Sequence, residues 1–500
     1  MRCDVCLGHR WCNWLAWPLL LSTWTAVVAA AGPATAFVPS QRWSTTASGS
    51  AGAQGSPITL TWSVVPDGTM VPGIGASGLV GLFDETFGAG IGGSDLKQRP
   101  WFFLLESSLD RWSELSGITF QFEPHDDGVP HSQLAGQLGV RGDIRFAGAS
   151  LDGPNNTLAL STFPNNADIL LDTDDFPLFS IPTSNYLRFR NVLMHELGHC
   201  LGFEHVESSN AAFLMEPALN IGFDGPQLDD IRAVQWYYGD VLEKSNGGLG
   251  NGSTQLATDL GLVAPGGMVS VGADAGPDLA VAGDETDFAS IHNGQDKDFF
   301  SIRVEQPSLL DAALAPRGGI YNQGSQGGQQ TPIDANSRSD LSLAVFDTDG
   351  TSLLASMNHD GAGTTETISD LFLPTAGEYF VRVAGASAQV QLYQLELSIT
   401  SAAITLQGDY NLDGAVDAAD YSVWRDSLGR QGTGLAADGN GDEVVDQLDY
   451  DLWKSSFGSN GSGVGSRATS TIPEPSSIAI ACAAFLAGVT SRKRWRRAEL

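Results

Sequence analysis

The chain has 500 residues, which is too long for one compact domain, because single hydrophobic cores stop growing at about 250–300 residues. It carries 58 acidic and 26 basic side chains, for a formal net charge of -32. A chain this acidic repels phosphate backbones, which argues against nucleic acid as a partner, whereas its carboxylates suit divalent cations.

The N-terminus has the pattern of an export signal. Arg2 and Arg10 precede an apolar run, and small residues then lead up to Ala36. This order predicts a signal peptide over residues 1–36, with a membrane anchor as the alternative. One cysteine, Cys200, remains between this segment and the C-terminal tail. No disulfide is therefore expected in the mature body, and Cys200 is interpreted as a small buried core residue.

Residues 37–243 make up the first predicted domain, in which strand and helix signals are mixed. Residues 57–65 alternate between apolar and polar side chains, as a strand does. Residues 102–116 and 188–202 have helical spacing of their apolar side chains. The pattern predicts an α+β domain, and the Gly/Ser-rich segment 244–253 that follows it is interpreted as a linker.

The motif that carries chemistry lies at the end of the second helix. His195 and His199 are one helical turn apart, so both imidazoles can bind one zinc ion. Glu196 is rotated by about 100° from His195, which lets its carboxylate act as general base on a water in the open position of the metal. Gly202 can end the helix in a left-handed turn, so that His205 supplies a third nitrogen.

These residues form the pattern H-E-x-x-H-x-x-G-x-x-H, the metzincin signature. Met215, ten residues after His205, resembles the Met-turn of matrixins, the matrix metalloproteinase branch. Residues 228–239 and 111–120 resemble the last helix and the first helix with its following strand in that branch. The resemblance covers nearly all of residues 40–240. It implies a metzincin fold with a twisted, mostly parallel sheet and an active-site helix, and it implies a zinc metalloendopeptidase.

Two features depart from the matrixin pattern. Segments 142–144 and 167–175 stand where matrixins have structural-metal loops, yet no histidine lies between His131 and His195, so a second, structural zinc is not expected. A cysteine-switch propeptide is not expected either, because little chain separates the signal from the first strand. The second segment contains the three carboxylates of Asp172, Asp174 and Asp175. Calcium binding and a plain acidic turn are both open interpretations of this group.

Residues 254–400 predict an antiparallel β-sandwich. The runs 299–304, 341–346 and 379–383 are rich in β-branched and aromatic residues, and residues 347–350 are typical of a hairpin turn. This body resembles the accessory domain found C-terminal to many secreted bacterial peptidases. It contains no catalytic constellation, so a spacer or a substrate-binding module is expected.

Residues 401–457 contain an internal duplication. An acidic loop that begins at Asp409 recurs 29 residues later at Asp438, and a helix follows each copy. Side-chain oxygens at loop positions 1, 3, 5, 9 and 12 suit calcium. Gly414 allows the turn at position 6, where Glu443 in the second copy predicts weaker binding. The predicted calcium ligands are Asp409, Asn411, Asp413, Asp417, Asp420, Asp438, Asn440, Asp442, Asp446 and Asp449.

Aspartate at position 12 of both loops resembles the dockerin type I module. The resemblance implies a small α-helical, EF-hand-like module that binds calcium. Dockerins bind cohesin domains, so a cohesin-like partner is implied, while a calcium-stiffened spacer is an equally good interpretation.

The C-terminal end resembles a PEP-CTERM sorting tail. After a second linker at 458–472, residues 473–500 contain Pro-Glu-Pro, a short apolar stretch and a basic end. The resemblance implies processing by an exosortase-type sorting peptidase, transient membrane association through a short transmembrane segment, and delivery to the surface or exterior of a bacterium. An ordinary stop-transfer anchor is the alternative.

The whole sequence predicts a secreted or surface zinc endopeptidase that acts on protein or peptide substrates, with zinc and calcium as cofactors. The alternative is a non-catalytic, calcium-stiffened protein of the cell surface or extracellular matrix, or a cohesin-docking component of an extracellular assembly. An inactive relative is expected to lose Glu196 or a histidine, and this sequence retains all four residues.

Overall fold

The computed structural model describes residues 37–210, 212–402 and 406–459. The predicted signal peptide at 1–36 and the sorting tail at 473–500 lie outside the described residues. Within the described ranges, no helix is long and apolar enough to cross a membrane.

A five-stranded sheet is the scaffold of the first domain. Its strand order is β2-β1-β3-β5-β4, in which β1, β2, β3 and β5 are parallel and the edge strand β4 is antiparallel. The mostly parallel sheet and the strand expected at 57–65 are confirmed. A further strand, β6, and two hairpins of two-residue strands (Thr45–Thr46 with Gly49–Ser50, and Met70–Val71 with Gly75–Ala76) lie outside this sheet. The longer strands are β1 (Ile58–Val64), β2 (Ile118–Phe122), β3 (Ile144–Ala149), β4 (Ala159–Ser161), β5 (Ile169–Asp172) and β6 (Val206–Ser208).

Four helices of two or more turns pack with this sheet, and the two expected from helical spacing are confirmed. Trp112 is fully buried on the second helix, and its indole N–H donates to the carbonyl of Met194 on the third at 3.0 Å. Truncating such a core tryptophan costs about 3–5 kcal/mol, so the packing of the second helix on the third contributes strongly to stability. The helices are α1 (Leu79–Phe87), α2 (Phe102–Glu114), α3 (Leu187–Leu201) and α4 (Leu228–Tyr238).

The second domain consists mainly of two antiparallel sheets around one core. One has the order β7-β10-β17-β14-β15, in which only the β7–β10 pair is parallel, and the other has the order β8-β18-β11-β16 with β9 also paired to β18. Ile302 and Val381 of the first sheet share a hydrophobic cluster with Leu310 and Leu395 of the second, as a sandwich requires. The strands are β7 (Thr258–Leu262), β8 (Met268–Val271), β9 (Ala289–Ile291), β10 (Lys297–Val304), β11 (Ser308–Arg317), β12 (Ile320–Ser325), β13 (Thr331–Asp334), β14 (Leu341–Phe346), β15 (Leu353–Met357), β16 (Glu366–Leu373), β17 (Gly377–Gly385) and β18 (Gln391–Ser401).

The two domains are joined by more than the chain between them. The hairpin β12–β13 leaves the sandwich and pairs antiparallel with β6, which directly follows His205. On β12, the Tyr321 hydroxyl bonds with the buried ion pair of Asp229 and Arg232 on α4. The hairpin therefore belongs to the packing of both domains, and the sequence did not predict it.

The duplicated acidic segment folds into two loop–helix units around α5 (Ala418–Ser427) and α6 (Gln447–Ser456), and the two expected helices are confirmed. The units pack reciprocally. The Trp424 indole donates to the carbonyl of Asp446, and the Trp453 indole donates to the carbonyl of Asp417, both at 2.8 Å. Each unit thus secures the loop of the other.

Candidate metal centre

The three predicted zinc ligands come together at the end of α3. His195, His199 and His205 are all buried, and their ligand nitrogens lie within 4.8 Å of one another. The Nε2 atoms of His195 and His205 are 3.1 Å apart. Gly202 ends the helix with φ of 108°, and a Cβ there would lie 2.0 Å from the carbonyl oxygen of Gln41. Only glycine therefore fits the turn that brings His205 back to the helix.

The hydrogen bonds of the imidazoles orient their lone pairs toward one point. The Nδ1 atom of His195 donates to the carbonyl of Leu214 at 2.7 Å, and that of His199 donates to the carbonyl of Phe203 at 2.6 Å. A carbonyl only accepts, so each Nδ1 carries the proton and each Nε2 carries a lone pair. The Nε2 of His199 is buried without a hydrogen-bond partner among the described residues. Buried lone pairs that converge in this way fit a bound cation, and imidazole nitrogens fit zinc.

The protonation states agree with that assignment. Burial, with the neighbouring His205 as a second cause, lowers the pKa of His195 to about 3. Burial also lowers the pKa of His199 well below its usual range, and the other two histidines lower it further. Both imidazoles are therefore neutral at pH 7, which is the form that binds a metal.

Glu196 is buried beside the histidines on the same helix. The Ser161 hydroxyl, at the end of the edge strand β4, donates to Oε2 of Glu196 at 2.6 Å. This bond fixes the carboxylate between the active-site helix and the edge of the sheet. A carboxylate in this position can take and return protons during hydrolysis.

The side chain of Met215 packs against helix α3. A Cβ on Gly198 would lie 2.2 Å from Sδ of Met215, so the thioether packs directly on the helix between the first two histidines. Asp230 on α4 accepts from the backbone N–H groups of Leu214 and Met215 at 2.8 and 3.2 Å. The turn that carries Met215, and the Leu214 carbonyl bound to His195, are thereby held to α4.

A narrow pocket adjoins His195. Its wall includes Asn191, Leu219 and Phe223. The Asn191 amide donates to the carbonyls of Asn220 and Phe223 at 2.9 and 2.8 Å, which ties the loop after Met215 to the active-site helix.

The three carboxylates expected to bind calcium or form an acidic turn lie near the loop that follows β3. Asp172 accepts from the backbone N–H of Leu151, and Asp175 accepts from that of Asn155 at 2.6 Å. Asp174 accepts from the hydroxyl of a serine in the same region. Asp172 and Asp175 each have one buried oxygen without a hydrogen-bond partner among the described residues. The ligand atoms of Asp172, Asp174 and Asp175 do not, however, form one of the close clusters among the described residues that could hold a metal ion.

The predicted calcium ligands of the duplicated loops are gathered within each loop, where backbone N–H groups bind many of them. Asp409 accepts from the N–H groups of residues 413 and 414, and Asp420 accepts from those of residues 410, 411 and 417. Asp438 and Asp449 repeat this pattern in the second copy. At position 6, Gly414 has φ of 86° and Glu443 has φ of 66°, so a non-glycine residue adopts the left-handed turn. The remaining predicted ligands in the two loops are Asn411, Asp413, Asp417, Asn440, Asp442 and Asp446.

Sequence reasoning missed two side chains at the zinc-type site. Gln326, on the turn between β12 and β13, contacts Nδ1 of His205 through Oε1 at 2.9 Å. Ser161 contacts Glu196. Both lie far from the motif along the chain and neither belongs to a recognisable pattern, so no signal in the sequence indicated them.

Comparison with known families agrees with this geometry. Residues 94–239 match the family described as Matrixin, so this part of the chain is a matrixin domain, and its family supports a metallopeptidase. The chain is 28% identical over 151 residues to Metalloendoproteinase 5-MMP of Arabidopsis thaliana, a match that covers 28% of this chain and 40% of that protein. It is 30% identical over 151 residues to Matrix metalloproteinase-15 of Homo sapiens, covering 28% of this chain and 22% of that protein. The chain thus spans less than half of either relative.

Two solved structures overlap with the chain weakly. One is the pre-peptidase C-terminal domain of collagenase from Bacillus anthracis, at 12% identity and a TM-score of 0.16, covering 29% of this chain and 94% of that one. The other is a β-glucosidase from Paenibacillus barengoltzii, at 13% identity and a TM-score of 0.15, covering 29% of this chain and 11% of that one. Overlaps at this level indicate neither a fold nor a function.

Proposed function

We propose that this protein is a zinc-dependent endopeptidase in which Glu196 is the general base. The observation that carries the proposal is the meeting of three buried imidazoles with the Glu196 carboxylate at the end of α3. The matrixin match of residues 94–239 supports the same reaction class.

The chemistry is divided between the metal and the side chains. His195, His199 and His205 would hold the zinc ion, which when bound would supply a Lewis acid for the peptide carbonyl and for water. Glu196 takes the proton from the attacking water and returns it to the leaving amine. Ser161 keeps the Glu196 carboxylate in place through its 2.6 Å hydrogen bond, which limits the reorganisation that proton transfer requires.

The substrate is proposed to be an extended stretch of protein or peptide. Strand β4 is the edge of the central sheet, and its last residue is the one that contacts Glu196. An edge strand offers unpaired backbone groups to which an extended peptide can add as a further strand. A cavity of about 250 Å³ beside this strand, lined in part by Leu160, Ile74 and Leu170, suits an apolar side chain of such a peptide.

Cleavage of casein by the full chain tests the proposal, with Glu196→Ala as the variant and Glu204→Ala, an exposed glutamate on the adjoining loop, as the matched control. We expect about 10²–10⁴-fold slower cleavage for Glu196→Ala, because a general base contributes about that much, with zinc content unchanged. Native cleavage that survives in Glu196→Ala would refute the role of the base. Bound zinc without any cleavage of casein or a peptide library would favour the alternative of a non-catalytic surface protein.

Calcium is proposed for the duplicated loops, and for the Asp172, Asp174 and Asp175 turn. The duplicated oxygen side chains support the former, and the buried carboxylate oxygens of Asp172 and Asp175 support the latter. Partnership with a cohesin-like domain rests on the resemblance of the duplication to dockerin. Isothermal titration of the full chain with calcium, with Asp409→Asn as the variant, tests the first loop: the variant is expected to lose one binding event.

Export of the protein, with an exosortase-type peptidase acting on its tail, is likewise proposed from residues 1–36 and 473–500. The sequence order of charged, apolar and small residues at both ends supports it. Mass spectrometry of the protein recovered from the culture medium tests this, since loss of both segments is expected.

A further inference from the structure

A second group of ligand-type side chains lies where the two large domains meet. Glu243 belongs to the turn after α4, whereas His292 and Asp296 lie in the loop between β9 and β10 of the sandwich. One ligand atom from each lies within 4.8 Å of the other two. Nδ1 of His292 is 2.6 Å from Oδ2 of Asp296 and 3.9 Å from Oε1 of Glu243. His292 and Asp296 follow Glu243 by 49 and 53 positions in the chain, yet the three side chains meet at one point.

The imidazole of His292 is buried and aimed into this group. The residue is only 8% exposed, and its Nδ1 is buried beside Oδ2 of Asp296, at 2.6 Å, with no further hydrogen-bond partner among the described residues. The other edge of the ring packs on Gly55, where a Cβ would lie 1.8 Å from Nε2. The ring is thus pinned with one nitrogen facing two carboxylates, and these three groups could together hold an ion.

Further carboxylates are buried around this group, and burying carboxylates together is costly. Asp240 and Asp298 are buried near the group; Asp240 accepts from backbone N–H groups of residues 242 and 290, and Asp298 accepts from the Tyr393 hydroxyl. In the described parts of the chain, no lysine or arginine forms an ion pair with Glu243, Asp296 or either buried aspartate. A bound cation would offset this cost of burying carboxylates together.

The group is also reachable from solvent. It borders a cavity of about 550 Å³ whose wall includes all three side chains, and a cation can enter by this route. Gly250 lets the Glu243 carboxylate lie close to the backbone, since a Cβ there would be 2.5 Å from Oε2.

We infer that Glu243, His292 and Asp296 bind a divalent zinc-type ion that clamps the matrixin domain to the β-sandwich. One imidazole and two carboxylates form a ligand set that zinc accepts, whereas calcium and magnesium prefer oxygen ligands alone. The site is separate from the three-histidine site and does not depend on the proposed peptidase activity. The role of this ion is structural, because one ligand comes from the first domain and two come from the second, so that the ion fixes the two domains relative to each other.

Zinc stoichiometry of the full chain tests this inference. In calcium-containing buffer, we expect two zinc ions per native chain and one in His195→Ala/His199→Ala, where the first site is destroyed. Adding His292→Ala to that variant should remove the last zinc, and adding His359→Ala, an exposed histidine outside the group, should not. A double variant without zinc, or one whose zinc is unaffected by His292→Ala, would overturn the inference.

Thermal unfolding provides a second measurement that does not rely on truncating the imidazole. In His195→Ala/His199→Ala, zinc should raise Tm and a chelator should reverse the shift, because the ion binds only the folded junction. The isosteric change Asp296→Asn should abolish the zinc-dependent shift while retaining an acceptor for the His292 backbone N–H, now bound at 2.9 Å. An equal shift in Asp296→Asn would show that the stabilising ion binds elsewhere and refute the site.

Discussion

Gln326→Ala tests whether the sandwich domain helps to hold the zinc ion proposed for the three-histidine site. The Gln326 amide oxygen lies 2.9 Å from Nδ1 of His205, and it comes from a hairpin that pairs with the strand directly after this histidine. An acceptor at Nδ1 keeps the proton there and leaves Nε2 free to bind the metal. Removing the acceptor frees the ring to rotate or change tautomer.

The expected loss is modest. Removal of a partner that orients a metal-binding histidine typically lowers metal affinity about 10–100-fold. Gln326 is exposed, so water can replace part of its hydrogen bond, and the lower end applies. We therefore expect a zinc Kd about tenfold higher, which corresponds to about 1.4 kcal/mol.

Competition with a chromogenic chelator measures this change. Gln330→Ala, an exposed glutamine on the same hairpin, is the matched control and should bind zinc like the native chain. Gln326→Glu retains an acceptor at Nδ1 and should bind at least as tightly as the native chain. Equal zinc affinity for Gln326→Ala and Gln330→Ala would refute the reasoning.

Three further substitutions probe the surrounding structure. Gly198→Ala directs a methyl group at Sδ of Met215 and should lower the free energy of unfolding by about 1–2 kcal/mol despite its better helix propensity; urea denaturation checks this, and a stabilised variant would contradict it. Glu443→Gly relieves the left-handed turn and should stabilise the second acidic loop by about 1 kcal/mol, seen as greater resistance of the C-terminal module to urea; an unchanged midpoint would contradict this. Tyr321→Phe leaves Asp229 without its hydroxyl partner and should cost about 1–3 kcal/mol, seen as a lower Tm, whereas an unchanged Tm would count against the hairpin as an anchor.

Features that are encoded locally were predictable from the sequence. The active-site helix was expected at 188–202 and spans Leu187–Leu201, because its apolar spacing and the glycine that ends it are adjacent in the chain. The expected strands at 341–346 and 379–383 lie within Leu341–Phe346 and Gly377–Gly385 for the same reason, since alternation is a local signal.

Features that depend on distant contacts were not predictable. The hairpin β12–β13 is rich in glycine and glutamine and has little apolar alternation, so it has no strand signal of its own. Its order comes from pairing with β6 and from burial of Tyr321 against α4. The cluster of Glu243 and His292 was missed for a similar reason, because only the packing of two domains brings these residues together.

The contacts that position the three histidines extend beyond the sequence motif that contains them. His195 and His199 are oriented by backbone carbonyls of the matrixin domain, whereas His205 is oriented by a side chain of the sandwich. The strand that follows His205 is itself paired with the sandwich hairpin, so the position of the third ligand depends on packing between the domains. His205 is thus held by contacts from both domains, and the sandwich is part of the structural support of the three-histidine site.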